Sequence, residues 1–331
     1  MTMDRVRIGT LGAARITPNA LTKPAKNVPD VEVTTVAARD TARAKEFADK
    51  QGIPRVLDSY KALIDDPEID AIYNPLPNGL HGVWTIAALE AGKHVLCEKP
   101  FTANAQEAEQ VKAVADRTGK VVMEAFHWRY HPLAARAVEI IQSGELGDLR
   151  HIHTQMVFPL PRFRDIRWSL PLAGGALMDA GCYTIHMLRT LAGAEPDVTR
   201  AVAKQRSPGV DQTVVADFAF PGGFTGRITT SMLSSKFLRM SARVVGTKGE
   251  LKIFNPVAPQ FMHRFTVKSN GSTRRERFPK IPTYQYQLQA FADAVLRGAP
   301  TLTPPTESIA NMKVIDAVYR AAGMEPRQPT T

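Results

Sequence analysis

Three short stretches carry residue types whose spacing could do chemistry. The first is Gly9-Thr10-Leu11-Gly12 with Ala13-Ala14-Arg15-Ile16-Thr17 behind it. It follows the β-rich run Val6-Arg7-Ile8 and enters a helical pattern, a setting in which backbone N–H groups and a helix dipole can receive a pyrophosphate. Read as G-x-G-x-x-G from Gly12, the motif keeps only its first glycine. Ala14 adds a methyl group where backbone and ligand should come close, and Thr17 stands at the helix-packing position. The second stretch is Ala37-Ala38-Arg39-Asp40, at the end of the next strand-like run. Free ribose hydroxyls of NAD are usually met there by Asp or Glu. Ala38 takes that place here, and Arg39 follows with a fork of donors suited to the 2′-phosphate of NADP. NADP is therefore favoured, with NAD still possible. The plain alternative makes Arg39 a solvated charge and Asp40 only a helix cap. The third stretch is Glu98-Lys99-Pro100, which ends a strand at the carboxyl edge where open α/β sheets bind ligands.

The surrounding sequence predicts the elements that must hold these residues. Strand-like runs at Val6–Ile8, Val31–Ala37, Ala71–Tyr73, His94–Cys97 and Val121–Met123 alternate with helical patterns at Thr41–Gln51, Leu80–Ala91 and Asn104–Thr118. Asn104 followed by Glu107 has capping-box spacing, and Gly92 and Gly119 close their helices. Short apolar strands separated by helices need crossover connections and a buried parallel sheet. Residues 1–123 therefore predict a doubly wound α/β domain of Rossmann type. The rhythm then changes. A helix is predicted at Leu133–Ser143, a strand at Leu149–Val157, and a glycine-led helix over Gly174–Leu191. Strand patterns follow at 198–204, 213–220, 226–232, 241–245, 250–254 and 261–268, and helices at Tyr284–Leu296 and Ser308–Ala322 close the chain. Strands in series predict a large, mainly antiparallel open sheet with helices on one face, so 124–331 is expected to be an α+β domain.

Composition narrows the class. The chain has 331 residues, 42 Lys+Arg against 32 Asp+Glu, a formal charge of +10, and 44% hydrophobic residues. That suits about two globular domains and argues against disorder. Two cysteines rule out a disulfide framework and fit a reducing, cytoplasmic setting. The polar Met1–Arg7 start predicts no secretory signal, and the longest uncharged stretch, Ala71–Leu89, is too broken by Pro, Asn and Gly to span a membrane. A pI near 9.7 raises nucleic acid as a partner. No nucleic-acid motif accompanies it, and the basic residues are dispersed apart from Arg274-Arg275-Glu276-Arg277, which reads as a solvated surface beside a turn. His127 and His131 are spaced i, i+4, and His151 and His153 alternate on a strand, but neither pair has a Cys or carboxylate cluster at ligand spacing, so no metal is expected. Cys97 and Cys182 read as small apolar fillers.

Several motifs occur together in one order: Pro77-Asn78-Gly79-Leu80-His81, Ala91-Gly92-Lys93-His94-Val95, Glu98-Lys99-Pro100, Gly174-Gly175-Ala176-Leu177-Met178-Asp179-Ala180-Gly181-Cys182-Tyr183, and Gly246-Thr247-Lys248-Gly249-Glu250. In this the chain resembles the glucose–fructose oxidoreductase / inositol dehydrogenase (Gfo/Idh/MocA) family over nearly its whole length. Tyr183, four residues after Asp179, resembles the subgroup of dihydrodiol dehydrogenases and NADP-dependent xylose dehydrogenases; inositol dehydrogenases carry His there. Met123-Glu124-Ala125, Arg129 and Pro132 also match the dihydrodiol dehydrogenase pattern. His127 departs from it, which argues against an aromatic dihydrodiol.

The resemblance implies an NAD(P)-dependent oxidoreductase that transfers hydride between a nicotinamide and a sugar, polyol or related hydroxy compound. Tyr is a weak base at its ordinary pKa of about 10, and a nearby Lys⁺ stabilises the phenolate. Tyr183 is therefore expected as acid/base, Lys99 as its electrostatic partner and Asp179 as an orienting group. Asp179, Tyr183 and His186 follow i, i+4, i+7 spacing and would share one face of an α-helix. The cofactor would lie along Gly9, Gly12, Ala13, Ala14, Arg15, Ile16, Ala38, Arg39, Pro75, Pro77, Asn78, His81, Glu98, Lys99 and Pro100. The substrate would meet residues from His127, Trp128, Arg129, Arg162, Phe163, Arg167, Trp168 and His186, although His186 reads first as structural, because the family does not require it. The resemblance also implies a homodimer or homotetramer through the C-terminal sheet. Alternatives within the same family are an NAD-dependent glycosidase and a non-catalytic dinucleotide-binding regulator.

Overall fold

The computed structural model describes residues 4–162, 164–234 and 238–330. The chain forms two compact units. The first comprises residues 1–130 and 284–308, the second 131–283 and 309–331.

The first unit is built on a parallel sheet of β1 (Val6–Leu11), β2 (Val31–Ala37), β3 (Arg55–Leu57), β4 (Ala71–Asn74), β5 (His94–Cys97) and β6 (Val122–Glu124). Their order is β3-β2-β1-β4-β5-β6. The strand order reverses between β1 and β4, so the crevice at their carboxyl ends is the topological switch point. The connecting helices are the short α1 (Lys23–Ala25), α2 (Thr41–Gln51), α3 (Tyr60–Asp65), α4 (His81–Glu90) and α5 (Ala105–Thr118). Their starts follow from local chemistry. Asp40 accepts the Arg43 N–H at the start of α2, and Ser59 accepts the Ala62 N–H at α3. At α5 the Asn104 side chain accepts the Glu107 N–H, while Glu107 reaches back to the Ala103 N–H at 2.8 Å. Burial pushes that Glu107 carboxyl up to about 7.

In the second unit, α6 (Pro132–Gln142) precedes β7 (Leu149–Val157), and α7 (Cys182–Ala192) precedes β8 (Asp197–Ser207), β9 (Val210–Ala219), β10 (Thr225–Ser231), β11 (Arg239–Gly246), β12 (Gly249–Phe254), β13 (Arg264–Ser269) and β14 (Ser272–Glu276). The sheet order is β14-β13-β12-β11-β7-β10-β9-β8. The β7–β10 pair is parallel and the other pairs are antiparallel. Residues alternate between a buried face, with Ile152, Val214, Ala216, Ile228 and Val244, and an open face. That open face is polar: Arg227 pairs with Asp217 and Arg243 with Glu250, and His151 and His153 bond Thr225 and Thr229. Most apolar positions of the strand patterns are covered, with Val202 on β8 exposed at 53%.

Helix α8 (Thr283–Arg297) puts Leu288, Phe291 and Ala292 into the first unit's core beside Val6, Ile8, Leu21 and Tyr73. Each fully buried side chain of that size contributes roughly 1.5–3 kcal/mol. This packing is why the first unit takes back a segment far beyond residue 123. Helix α9 (Pro305–Ala321) follows. No described helix is long and apolar enough to cross a membrane.

Three elements lie outside the sequence reading. β3 has three half-buried residues and no alternation, and α3 only six residues, so neither shows a period. The third is the edge strand β14, which takes in most of the Arg274–Arg277 run beside the Asn270–Gly271 turn: Arg275 and Arg277 are exposed, as expected of a surface, while half-buried Arg274 bonds Glu145 and shares Glu276 with Arg136.

Candidate functional site

In the first unit, the candidate residues gather at the carboxyl edge of the parallel sheet. Gly12 ends β1 at φ +82°, a conformation costly for other residues, and its N–H donates to Ala37 O at 2.6 Å. Ala13 is buried, Ala14 and Ile16 are half-buried, and Arg15 is exposed. Gly9 lies one turn of sequence earlier inside the strand, walled by Leu63 and Ile69, and serves packing there. The helix expected after the glycine turn starts only at Pro18, as a π-turn over Pro18–Thr22 continued by α1. A macrodipole from so short a segment is small, so an anion near Gly12 relies on the backbone N–H groups of the turn.

Ala38 is buried at the end of β2 and presents no acid, and Arg39 beside it is exposed. Asp40 does cap α2, as the plain reading had it. Arg43, which sequence reasoning passed over, donates from Nη2 to Ala13 O at 2.9 Å and so ties α2 to the glycine turn. Tyr60, at the start of α3, has its hydroxyl where a Cβ on Gly12 would meet it at 3.5 Å. Burial pushes the Tyr60 phenol up, and the Arg39 and Arg43 charges oppose that. Arg43 and the Tyr60 phenol thus lie beside the Gly12 turn, and the Arg39 charge acts on that phenol from the surface. The available signal was Arg39 and Arg43 at i, i+4; Tyr60 gave none.

The β4 and β5 ends are joined by a dense set of bonds. Asn74 donates to His81 O and Thr85 Oγ1, each at 3.1 Å, and its own carbonyl accepts the Glu98 N–H at 3.0 Å. Tyr73 Oη donates to Glu98 Oε1 at 2.8 Å. His81, wholly buried, sets Nδ1 2.7 Å from Pro100 O and Nε2 2.7 Å from Leu76 O. It thus joins the loop holding Pro75, Pro77 and Asn78 to the loop holding Lys99. Burial, with the Lys99 charge adding, pushes its imidazole down to about 4. A neutral ring has one N–H to give, so the two carbonyls compete for it. After β6, His127 stacks on Tyr284 with ring centroids 3.9 Å apart, and burial and then Lys99 push it down to about 3. Trp128 is 2% exposed. Arg129 is half-buried.

In the second unit, the glycine-led segment is not one α-helix. A π-turn over Leu177–Gly181 carries Asp179 and runs into α7, which carries Tyr183 and His186. The wider turn alters the phase between Asp179 and Tyr183, so the common face predicted for an α-helix does not apply to Asp179. Tyr183 and His186 are buried, whereas the Asp179 side chain is 13% exposed. Arg167 donates from Nε to Asp165 at 2.9 Å and lies 3.5 Å from Asp179 Oδ2. Trp168 is buried with its indole Nε1 unpartnered, and Arg206 lies 4.8 Å over its ring. Arg162 is exposed, and Phe163 lies outside the described residues. Cys97 and Cys182 are buried free thiols; burial pushes Cys97 well above its usual value, which suits a filler. His131 caps α6 through Leu133 N. Among the described residues no group of three or more His, Cys, Asp or Glu is placed to hold a metal.

Two family models match: an oxidoreductase family with an NAD-binding Rossmann fold over residues 6–126, and the GFO/IDH/MocA C-terminal domain over 134–252. The chain belongs to the Gfo/Idh/MocA oxidoreductase family. Its relatives in that family include D-xylose 1-dehydrogenase (NADP(+)) 2 of Haloferax volcanii, 38% identical over 95% of this chain and 96% of that protein. The mouse trans-1,2-dihydrobenzene-1,2-diol dehydrogenase is 37% identical over 77% of this chain and 76% of its own length. Among solved structures, the 3-ketoreductase KijD10 of Actinomadura kijaniata, in complex with NADP and TDP-benzene, has TM-score 0.90 and 29% identity, covering 96% of this chain and 98% of that one. Both the fold and the subgroup expected from the motifs agree with these relatives.

Proposed function

We propose that this family member is an NADP-dependent dehydrogenase or reductase that interconverts an alcohol and a carbonyl on a sugar or related polyol. The observation that carries the cofactor choice is the end of β2, where Ala38 leaves no carboxylate, Arg39 follows on the surface and Arg43 reaches the glycine turn. Guanidinium forks suit a 2′-phosphate, and a carboxylate would repel it. The relatives whose names specify NADP support the same choice. The first unit also fits a dinucleotide at the Gly12 turn, where a φ of +82° favours a bare backbone and a Cβ would come within 3.4 Å of Leu76 and 3.5 Å of the Tyr60 hydroxyl.

When bound, NADP supplies hydride chemistry at its nicotinamide; the chain's own work is orientation and the proton. Arg39 and Arg43 would hold the 2′-phosphate and the Gly12 turn the pyrophosphate. His81 keeps the Lys99 loop against the β4 loop. Tyr183 takes the hydroxyl proton in oxidation and returns it in reduction, and Lys99 lowers the cost of the phenolate. Asp179, against Arg167, orients the substrate side. Self-association through the open face of the second sheet belongs to this reading, and light scattering checks it.

A panel of aldoses, with D-xylose first, polyols and dihydrodiols, assayed for NADPH and NADH formation, tests the proposal. Turnover of an aldose with a lower KM for NADP than for NAD supports it. A lower KM for NAD removes the cofactor assignment, and aglycone release without net NADPH would move the chain to the glycosidase reading.

A further inference from the structure

The second unit buries an ion pair that none of the family motifs contains. Asp211, on β9, is 0% exposed, and Arg327, in the coil after α9, is 2% exposed. Asp211 accepts from Arg327 Nη2 at 2.6 Å, from Tyr319 Oη at 3.0 Å and from the backbone N–H of Leu177 at 2.6 Å. The Arg327 guanidinium lies 4.3 Å over the Tyr319 ring, and its Nε donates to Gly174 O at 2.7 Å.

What these bonds hold is specific. Leu177 is the first residue of the π-turn that carries Asp179, and its N–H is one of the helix-start donors with no partner inside the helix. Asp211 caps it from a strand 34 residues away in sequence. Gly174 and Gly175 form the corner just before. Gly174 N–H donates to Ser169 O and Gly175 N–H to Arg167 O, both at 2.9 Å, and Gly175 O accepts the Asp179 N–H at 3.1 Å. The corner thus links the Arg167 loop to the turn bearing Asp179. It is also packed too tightly for a side chain: at φ +135°, a Cβ on Gly175 would lie 2.2 Å from Asp211 Oδ1 and 2.7 Å from Arg327 Nη2. Apolar packing would hold such a corner at lower desolvation cost, but without direction. Charged hydrogen bonds to one named N–H and one named carbonyl fix orientation.

We propose that Asp211 and Arg327 are positioning residues for catalysis, setting the Gly174–Tyr183 segment so that Asp179 and Tyr183 meet the substrate correctly. This rests on the reading of Tyr183 as acid/base. Misplacement of a reacting group by about 1 Å costs up to ~100-fold in rate, so the clamp would appear in kcat. Cofactor binding, which belongs to residues of the first unit, would be left alone.

The test uses the full-length protein with Asp211→Asn, Arg327→Lys, Tyr319→Phe and Tyr183→Phe, measuring kcat, KM for NADP and the pH profile of kcat. The expected result is a kcat lowered about 10- to 100-fold in Asp211→Asn and less in Tyr319→Phe and Arg327→Lys. KM for NADP should stay within about twofold, and the basic limb of the pH profile should move as the surroundings of Tyr183 change. Should Asp211→Asn fail to fold, the two milder variants decide the matter by the same signature. Unchanged kcat and pH profile in folded variants overturn the proposal. So does a kcat that falls only together with cofactor affinity and melting temperature, because that is general loosening. Tyr183→Phe separates the two ideas: full activity there removes the acid/base reading itself, whereas an inactive Tyr183→Phe beside fully active clamp variants removes only the clamp.

Discussion

The carboxyl edge of the first unit and the π-turn of the second solve one problem in opposite ways. The edge is held by short-range, largely neutral bonds: Asn74 to His81 and Thr85, and His81 to Leu76 and Pro100, all spanning fewer than twenty residues except where neighbouring strands meet. The π-turn is held by a buried charge pair, with Asp211 34 residues from Leu177 and Arg327 153 residues from Gly174. Local bonding makes a site that can be read along the chain and tolerates single losses. A long-range charged clamp makes a site that is oriented by residues no local motif includes, and each of those is sensitive to loss, because an unpaired buried charge costs several kcal/mol.

The contrast predicts where each substitution is felt. The largest effect belongs to the reacting groups. Tyr183→Phe and Lys99→Ala should lower kcat by roughly 10²- to 10⁴-fold, the usual contribution of positioned acid/base chemistry, as read from steady-state kinetics. Acid should act through histidines of both units: half-buried His153 in the second and His94 in the first are each pushed down to about 4. His81 and His127 are pushed down to about 4 and about 3, against an unfolded value of 6.5, so the unfolded chain binds protons first as pH falls. Stability is full above pH 6.5 and declines toward those lower values, by on the order of 3 kcal/mol for His81 and about 5 kcal/mol for His127 at completion. Urea melts across that window check this, and His127→Asn should flatten the slope. Next, Arg39→Ala combined with Arg43→Ala should raise KM for NADP by about 10- to 100-fold and leave saturated kcat near its original value, a total of about 1.4–2.7 kcal/mol, less than two fully formed charged hydrogen bonds would give because Arg39 is exposed and screened by solvent. The smallest effect is local: Asn104→Ala removes the cap of α5 and should cost about 1 kcal/mol in thermal melts, with kinetics unchanged.

Legibility in the sequence follows the same division. The parallel sheet, the capped helices α2 and α5 and the Glu98-Lys99-Pro100 edge could all be read, because period, caps and motifs are local signals. Strands β2, β5 and β7 have the bounds expected from pattern alone. β3 and α3 were not legible, and with them went Tyr60, since elements that short carry no period. Arg43 was visible at i, i+4 from Arg39 but had no reason to be singled out until Ala13 O was found beside it. The wide turn at Leu177–Gly181 and the Asp211–Arg327 pair could not be inferred, because both depend on strand β9 and the chain after α9 arriving at the same corner.

One comparison bears most directly on the proposed division of labour: saturated kcat and NADPH affinity measured side by side for Tyr183→Phe and for the Arg39→Ala, Arg43→Ala double variant. The predicted result is a crossed pattern, with Tyr183→Phe binding NADPH as the parent does while losing turnover, and the double variant losing NADPH affinity while keeping saturated turnover. A Tyr183→Phe protein that turns over at the parental rate would contradict it.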